Sequence, residues 1–119
     1  MTKFNEEFVK ALYSTVVKEG LEESKEMYET TEITPDMSDF WRKALSLYQT
    51  SDLEGKETLM QIMEQTMIDT ISLVLGVIDG SSTLDGTEIE SKLFLDSHDT
   101  ENELQDEFLM FMEENDLYP

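Results

Sequence analysis

The sequence predicts a mainly helical fold: four to five helices in one compact domain spanning residues 1–119, with a small β-hairpin before the last helix. Three observations lead there. Apolar residues recur every three or four positions along most of the chain, as one face of a 3.6-residue helix requires. Glycine and proline are scarce, 5 and 2 in 119 residues, which leaves few turning points for a loop-rich fold. No linker or internal repeat divides the chain, and its length suits a single domain that buries roughly two-thirds of its unfolded surface.

The first helical run covers Lys3 to Lys18, with Phe4, Phe8, Ala11, Leu12 and Val16 on one stripe and Glu6, Glu7, Lys10 and Lys18 opposite. Beyond Gly20 a weaker stripe resumes at Leu21, Ser24, Met27 and Tyr28. Either one long helix bends at Gly20 or two short helices meet there; a glycine inside a helix costs about 1 kcal/mol relative to alanine, which favours the break. Thr34-Pro35-Asp36 reads as the next helix start: a capping threonine, proline at the first helical position and an acid in the first turn. Met37, Phe40, Trp41, Ala44, Leu45 and Tyr48 follow at helical spacing to about Thr50, and the bulky Phe40–Trp41 pair is expected to anchor the core.

Ser51-Asp52-Leu53-Glu54 has the form of a capping box opening the longest helix, Asp52 to Ile78. From Met67 onward this helix is apolar nearly all round, the mark of a buried end. Met60, Met63 and Met67 read as core packing, and Asp79-Gly80 closes the helix. The alternation from Ile89 to Leu95 suggests a strand paired with Thr83–Leu84 across an Asp85-Gly86 turn. Thr100 and Glu103 form a second capping box, and Leu104, Phe108, Phe111 and Met112 line a last helix ending near Asn115.

Charge is the feature that bears on function. The formal net charge is −20, and it is unevenly spread: residues 1–56 hold 7 bases and 12 acids, whereas residues 57–119 hold Lys92 and 16 acids. Such a field repels nucleic acid and anionic membrane and attracts basic protein surfaces. The chain has no cysteine, so disulfides, thiolate catalysis and zinc–thiolate sites are excluded. The N-terminal run lacks the apolar core of a signal peptide, and the longest apolar stretch, from Ile71 to Ile78, is far short of the ~20 residues of a membrane span. These features suit a cytoplasmic protein of bacterial or phage origin.

Few motifs carry chemistry. The twelve residues from Asp79 to Glu90 have the length and acidic ends of a calcium loop, but Leu84 stands where the sharp turn needs glycine, and Ser81 and Thr83 replace charged ligands. His98, the single histidine, lies between polar residues with neither a second histidine nor a nucleophile nearby. Glu23 with Glu26, and Glu103 with Asp106, each place two carboxylates on one helical face, the material of a metal-dependent phosphohydrolase, but they are nearly eighty residues apart. No catalytic residue, metal or cofactor is therefore assigned, and the chain is read as a non-enzyme.

The acids of the last helix bear on partners instead. Glu113, Glu114 and Asp116 sit at its C-terminal end, where the helix dipole opposes them, so local stability does not account for them. Ile78-Asp79-Gly80-Ser81-Ser82, Leu93-Phe94-Leu95 and Leu104-Gln105-Asp106-Glu107-Phe108-Leu109 together resemble small acidic bacterial immunity-type proteins, over residues 70–110. The resemblance implies a protein that binds and neutralises a cognate toxin. The expected partner is a basic protein surface such as a toxin, met by Asp99, Glu103, Asp106, Glu107, Glu113 and Glu114, with Asp85 and Glu88 extending the face. A phage-type DNA mimic, the metal-dependent phosphohydrolase and an acidic domain charged only for solubility are the alternatives.

Overall fold

The computed structural model describes residues 3–119. Four helices and one small hairpin make up the described chain. Helix α1 is continuous over residues 3–30, in three stretches: Lys3–Leu12, a π-helical Tyr13–Glu19, and Gly20–Thr30. Helix α2 is Asp39–Thr50, α3 is Leu53–Asp79 and α4 is Leu104–Glu114. Strands β1 (Phe94–Leu95) and β2 (His98–Asp99) pair antiparallel, with Leu95 opposite His98.

The expected break at Gly20 does not occur. Gly20 has helical dihedrals, φ −60 and ψ −40, and the irregularity falls just before it, in the π-helical stretch. A π turn takes up an extra residue and so shifts the phase of the apolar face. Hence Val17 is fully buried in the same core as Val9, while Val16, on the stripe that uniform helical spacing predicts, is exposed.

Two helix starts also move. Thr34-Pro35-Asp36 forms a turn in which the Met37 amide donates to the Thr34 carbonyl at 3.3 Å. Helix α2 begins four residues later, with the Ser38 hydroxyl accepting from the Trp41 amide. At α3 the cap is Asp52, not Ser51: its carboxylate accepts from the Gly55 amide at 2.7 Å, while Ser51 donates to the Leu47 carbonyl. Helix α3 ends as expected, on Gly80 in the left-handed conformation.

The core joins the first half of α1, the second half of α3 and α4. Val9, Val17, Ile68, Ile71, Leu75, Leu104, Phe108 and Met112 form it. Phe40 and Trp41 do not anchor it: they are 65% and 41% exposed. Helix α2 turns Leu45 and Tyr48 inward instead, and Tyr48 meets Tyr28 at 5.5 Å between ring centroids. Trp41 lies at the edge of that contact, and Phe40, a residue earlier and so about 100° round the helix, meets the outer side of the cluster through the Trp41 ring. Gln49 ties α2 to the end of α1 by donating to the carbonyls of Tyr28 and Thr31. The end of α3 is not buried all round either, since Leu73 and Val74 face solvent. Met60, Met63 and Met67 are half-buried, and Met67 packs on the core.

The hairpin forms in a different place from the one expected. Thr83–Leu84 pairs with nothing in the described sheet; β1 and β2 close over Asp96-Ser97, both with positive φ (48 and 69), as a tight hairpin turn requires. The Thr100–Glu103 capping box is absent because Glu101 and Asn102 also take positive φ (57 each). Thr100 is buried, and its carbonyl accepts from the Asn5 side chain at 2.9 Å.

Helix α4 is capped instead from α3. The Asp79 carboxylate, at the end of α3, accepts from the Gln105 amide in the first turn of α4 at 2.7 Å. The Gln105 side chain donates to the Ser72 carbonyl at 2.9 Å and accepts from the Ser81 hydroxyl at 2.9 Å. Gly76 makes room for it: a Cβ there would stand 2.8 Å from Gln105 Nε2 and 2.9 Å from Ser82 Oγ.

The two helical glycines should therefore respond oppositely to alanine. Gly20→Ala meets only the Met67 methyl, at 3.8 Å, and should stabilise the fold by roughly 0.5–1 kcal/mol. Gly76→Ala displaces Gln105 from its bonds, and the net loss should be about 1–2 kcal/mol despite alanine's better helix propensity. Urea unfolding of both variants checks the pair of signs.

Candidate functional site

The acidic residues expected to meet a partner fall in several places. Asp85 and Glu88 are exposed in the irregular segment between α3 and β1. Glu88 helps line a hollow of about 560 Å³ that also contains Glu90, Asn102 and Lys92, the single base of the second half. Asp99 is exposed in β2 and accepts from the Glu101 amide at 2.8 Å. Glu103 is the half-buried residue before α4, and Asp106 is exposed in its first turn.

Glu107 must be withdrawn from the surface set. It is 4% exposed, and its Oε1 meets no hydrogen-bond donor among the described residues. The reason is its place in the helix: one residue before Phe108 and three after Leu104, it shares their inward face against α1. Burial raises its pKa above the ordinary 4.5, and the Glu6 and Glu103 charges push the same way.

Glu113 and Glu114 are both exposed but lie on different sides of α4. Glu114 lines a cleft of about 300 Å³ with Glu6, Lys10 and Glu107. Glu113 lies on the side of Tyr118 and Asp69, and burial together with these two charges raises the Tyr118 pKa. The structure thus gathers Glu6, Glu103, Glu107 and Glu114 along the α1–α4 seam and leaves the other acids spread around this end of the molecule.

What compensates the acids is also uneven. Among the described residues, the side-chain ion pairs are Lys3–Glu7 and Arg42–Asp39, both in the first half. The calcium-loop pattern is spoken for at its first position, since Asp79 is buried and caps α4. His98 is exposed, stacks on Phe4 at 4.1 Å between centroids, and places Nδ1 3.0 Å from the Asp96 carbonyl oxygen. Glu23 and Glu26 are exposed on α1, and no group of three or more acidic or imidazole side chains among the described residues is gathered to hold a metal ion. No described helix is long and apolar enough to cross a membrane.

The sequence reading missed one concave site. A groove of about 380 Å³ runs between the second half of α1, α2 and the start of α3. Leu21, Tyr48 and Met60 line it, together with Lys25, Lys56 and Glu64. Lys56 lies over the Tyr48 ring at 5.7 Å, and the Tyr48 hydroxyl donates to Glu29 at 3.0 Å. Burial raises the pKa of Glu64, which in turn helps burial raise that of Tyr13. Nothing local in the sequence marks these residues, because the groove exists only once three helices meet. Comparison of the chain with family models, with curated proteins and with solved structures finds no match.

The buried Glu107 predicts a pH dependence. Because its pKa is raised in the folded chain, the native state holds its proton more tightly than the unfolded state does. Its effect on stability is therefore most favourable below the ordinary value of 4.5 and is lost as pH rises through the raised value. Glu107→Gln should remove that part of the slope and raise stability at pH 7 by about 1 kcal/mol. Urea titrations of both proteins between pH 4 and 7.5 measure it; parallel slopes would refute the assignment.

Proposed function

We propose that this protein is a non-enzymatic binder of a basic protein surface, in the concrete form of an immunity- or antitoxin-like inhibitor that neutralises a toxin. One observation carries the reading: the second half of the chain sets 16 acids against Lys92, while the ion pairs of the described residues all lie in the first half. Exposed acids without compensation inside the chain are best compensated by cations from outside it.

The supporting surface is the exposed set Asp85, Glu88, Asp99, Asp106, Glu113 and Glu114, with Glu103 at its edge. Its members run from the segment after α3 through β2 to both ends of α4. The mechanism is long-range steering of the cationic partner, followed by occlusion of its cleft. A nuclease toxin has such a cleft, because it must hold a polyanion.

Position, not bulk charge, is what the test must isolate. One variant replaces Asp85, Glu88, Asp106, Glu113 and Glu114 by Asn or Gln; a second replaces Glu19, Glu22, Glu23, Glu26 and Glu32, equally exposed acids of the first half, by Gln. In pull-downs from the source cell lysate, the wild type should retain a Lys/Arg-rich protein and release it as salt rises. The first variant should lose it by about tenfold or more and the second should keep most of it. Equal loss from both variants, or retention that salt leaves unchanged, would reject the proposal.

A further inference from the structure

The uncharged outer ridge of α3 stands apart from the rest of this acidic surface. From Thr58 to Ile78 the helix carries two charged side chains, Glu64 and Asp69. Glu64 is half-buried and lies by Tyr13, and Asp69 accepts from Gln65 one turn earlier on its own helix. Between them, at four-residue spacing, runs the ridge Thr58, Ile62, Thr66, Thr70 and Val74, every member exposed. Ile62 and Val74 are 57% and 52% open to solvent, and Leu73 beside them is 60% open.

The threonines of this ridge are apolar in effect. Each hydroxyl donates back to the carbonyl four residues earlier: Thr58 to Glu54 at 2.9 Å, Thr66 to Ile62 at 2.8 Å and Thr70 to Thr66 at 2.7 Å. The methyl groups are left as the outward surface. The ridge is therefore a row of β-branched, hydrogen-bond-satisfied side chains about 24 Å long.

The molecule also has surface to spare. It is 22 Å across its thinnest dimension, about two helix diameters, and exposes 8217 Å². A folded monomer of 13.8 kDa is expected to expose only about 6,600 Å². The excess, about 1,600 Å² for one chain, is more than the ~800 Å² that a stable interface of standard size removes from each partner.

We infer that the α3 ridge is the interface of a two-fold symmetric dimer, in which α3 crosses α3 of a second copy about Thr66. A second copy fits where a basic partner does not, because the ridge offers a cation nothing to pair with. Rows at four-residue spacing interdigitate when two helices cross at about −50°, the commonest packing of helices. A two-fold axis at Thr66 sets Ile62 against Thr70 of the other copy and Thr58 against Val74. It also keeps the two Asp69 residues about 9 Å apart along the helix, whereas parallel packing would set them side by side. Along this ridge two copies can approach without bringing acids together.

Salt separates this proposal from the partner-binding one. Two chains of net charge −20 repel, so screening should strengthen the dimer, while it weakens capture of a basic partner. In sedimentation equilibrium from about 5 to 500 µM, the mass should climb from 13.8 kDa toward twice that value, further in 0.5 M than in 0.05 M NaCl. The chain has no cysteine of its own, so Thr66→Cys can report the axis directly. Mild oxidation should cross-link it at least about tenfold faster than Thr15→Cys, an exposed position on α1. Ile62→Lys with Thr70→Lys should hold the chain at 13.8 kDa with unchanged helical circular dichroism. A monomer at every concentration and salt, cross-linking no faster than the control, or a lysine variant that dimerises like the wild type would each overturn the proposal. If the lysine variant unfolds, the mass and cross-linking measurements decide alone.

Discussion

The joint between α3 and α4 is the constraint on which the rest of the structure depends. Asp79 ends one helix and caps the next; Gln105 bonds back to Ser72, Ser81 bonds to Gln105, and Gly76 leaves the room. The charge is well used: at the end of α3 a carboxylate opposes the helix dipole, but it reaches the N-terminus of α4, where the dipole favours it. With the two helices held in this way, Ile68, Ile71 and Leu75 face Leu104, Phe108 and Met112, and α1 closes the core from the other side.

Closing from that side imposes two local costs. Helix α1 presents Val9 and Val17, eight residues apart, to the same core; uniform helical spacing would set them about 80° apart, and the π-helical stretch shifts that phase. Helix α4, packed along α1, carries Glu107 inward with Leu104 and Phe108. A buried carboxylate oxygen with no donor among the described residues is destabilising at neutral pH, and Glu6 and Glu103 nearby make it more so. The fold tolerates this because the helix that brings Glu107 in also brings three fully buried apolar side chains.

Exposed acids cover much of the surface, on α1 as well as in the second half, whereas the ridge along the outside of α3 is uncharged. The two proposed contacts, a cationic partner on the acids of the second half and a second copy on the ridge, would use different surfaces of this chain of net charge −20. Salt acts on the two with opposite sign.

The sequence by itself determined the helical class, the extents of α2, α3 and α4 to within a few residues at their C-terminal ends, and the asymmetry of charge, because periodicity, glycine stops and composition are local properties. It also made the exposure of most of the proposed partner-facing acids legible, since a charged side chain usually faces water. Only the tertiary structure decided which bulky residues are core, which acid is buried and what caps α4. Phe40 and Trp41 look like an anchor by size, yet α2 packs through Leu45 and Tyr48; Glu107 looks like its acidic neighbours, yet it faces α1. The Asp79 cap spans 26 residues and the Asn5–Thr100 bond 95. Such choices depend on which surfaces meet, and the energy of a contact between distant segments is written in no local pattern.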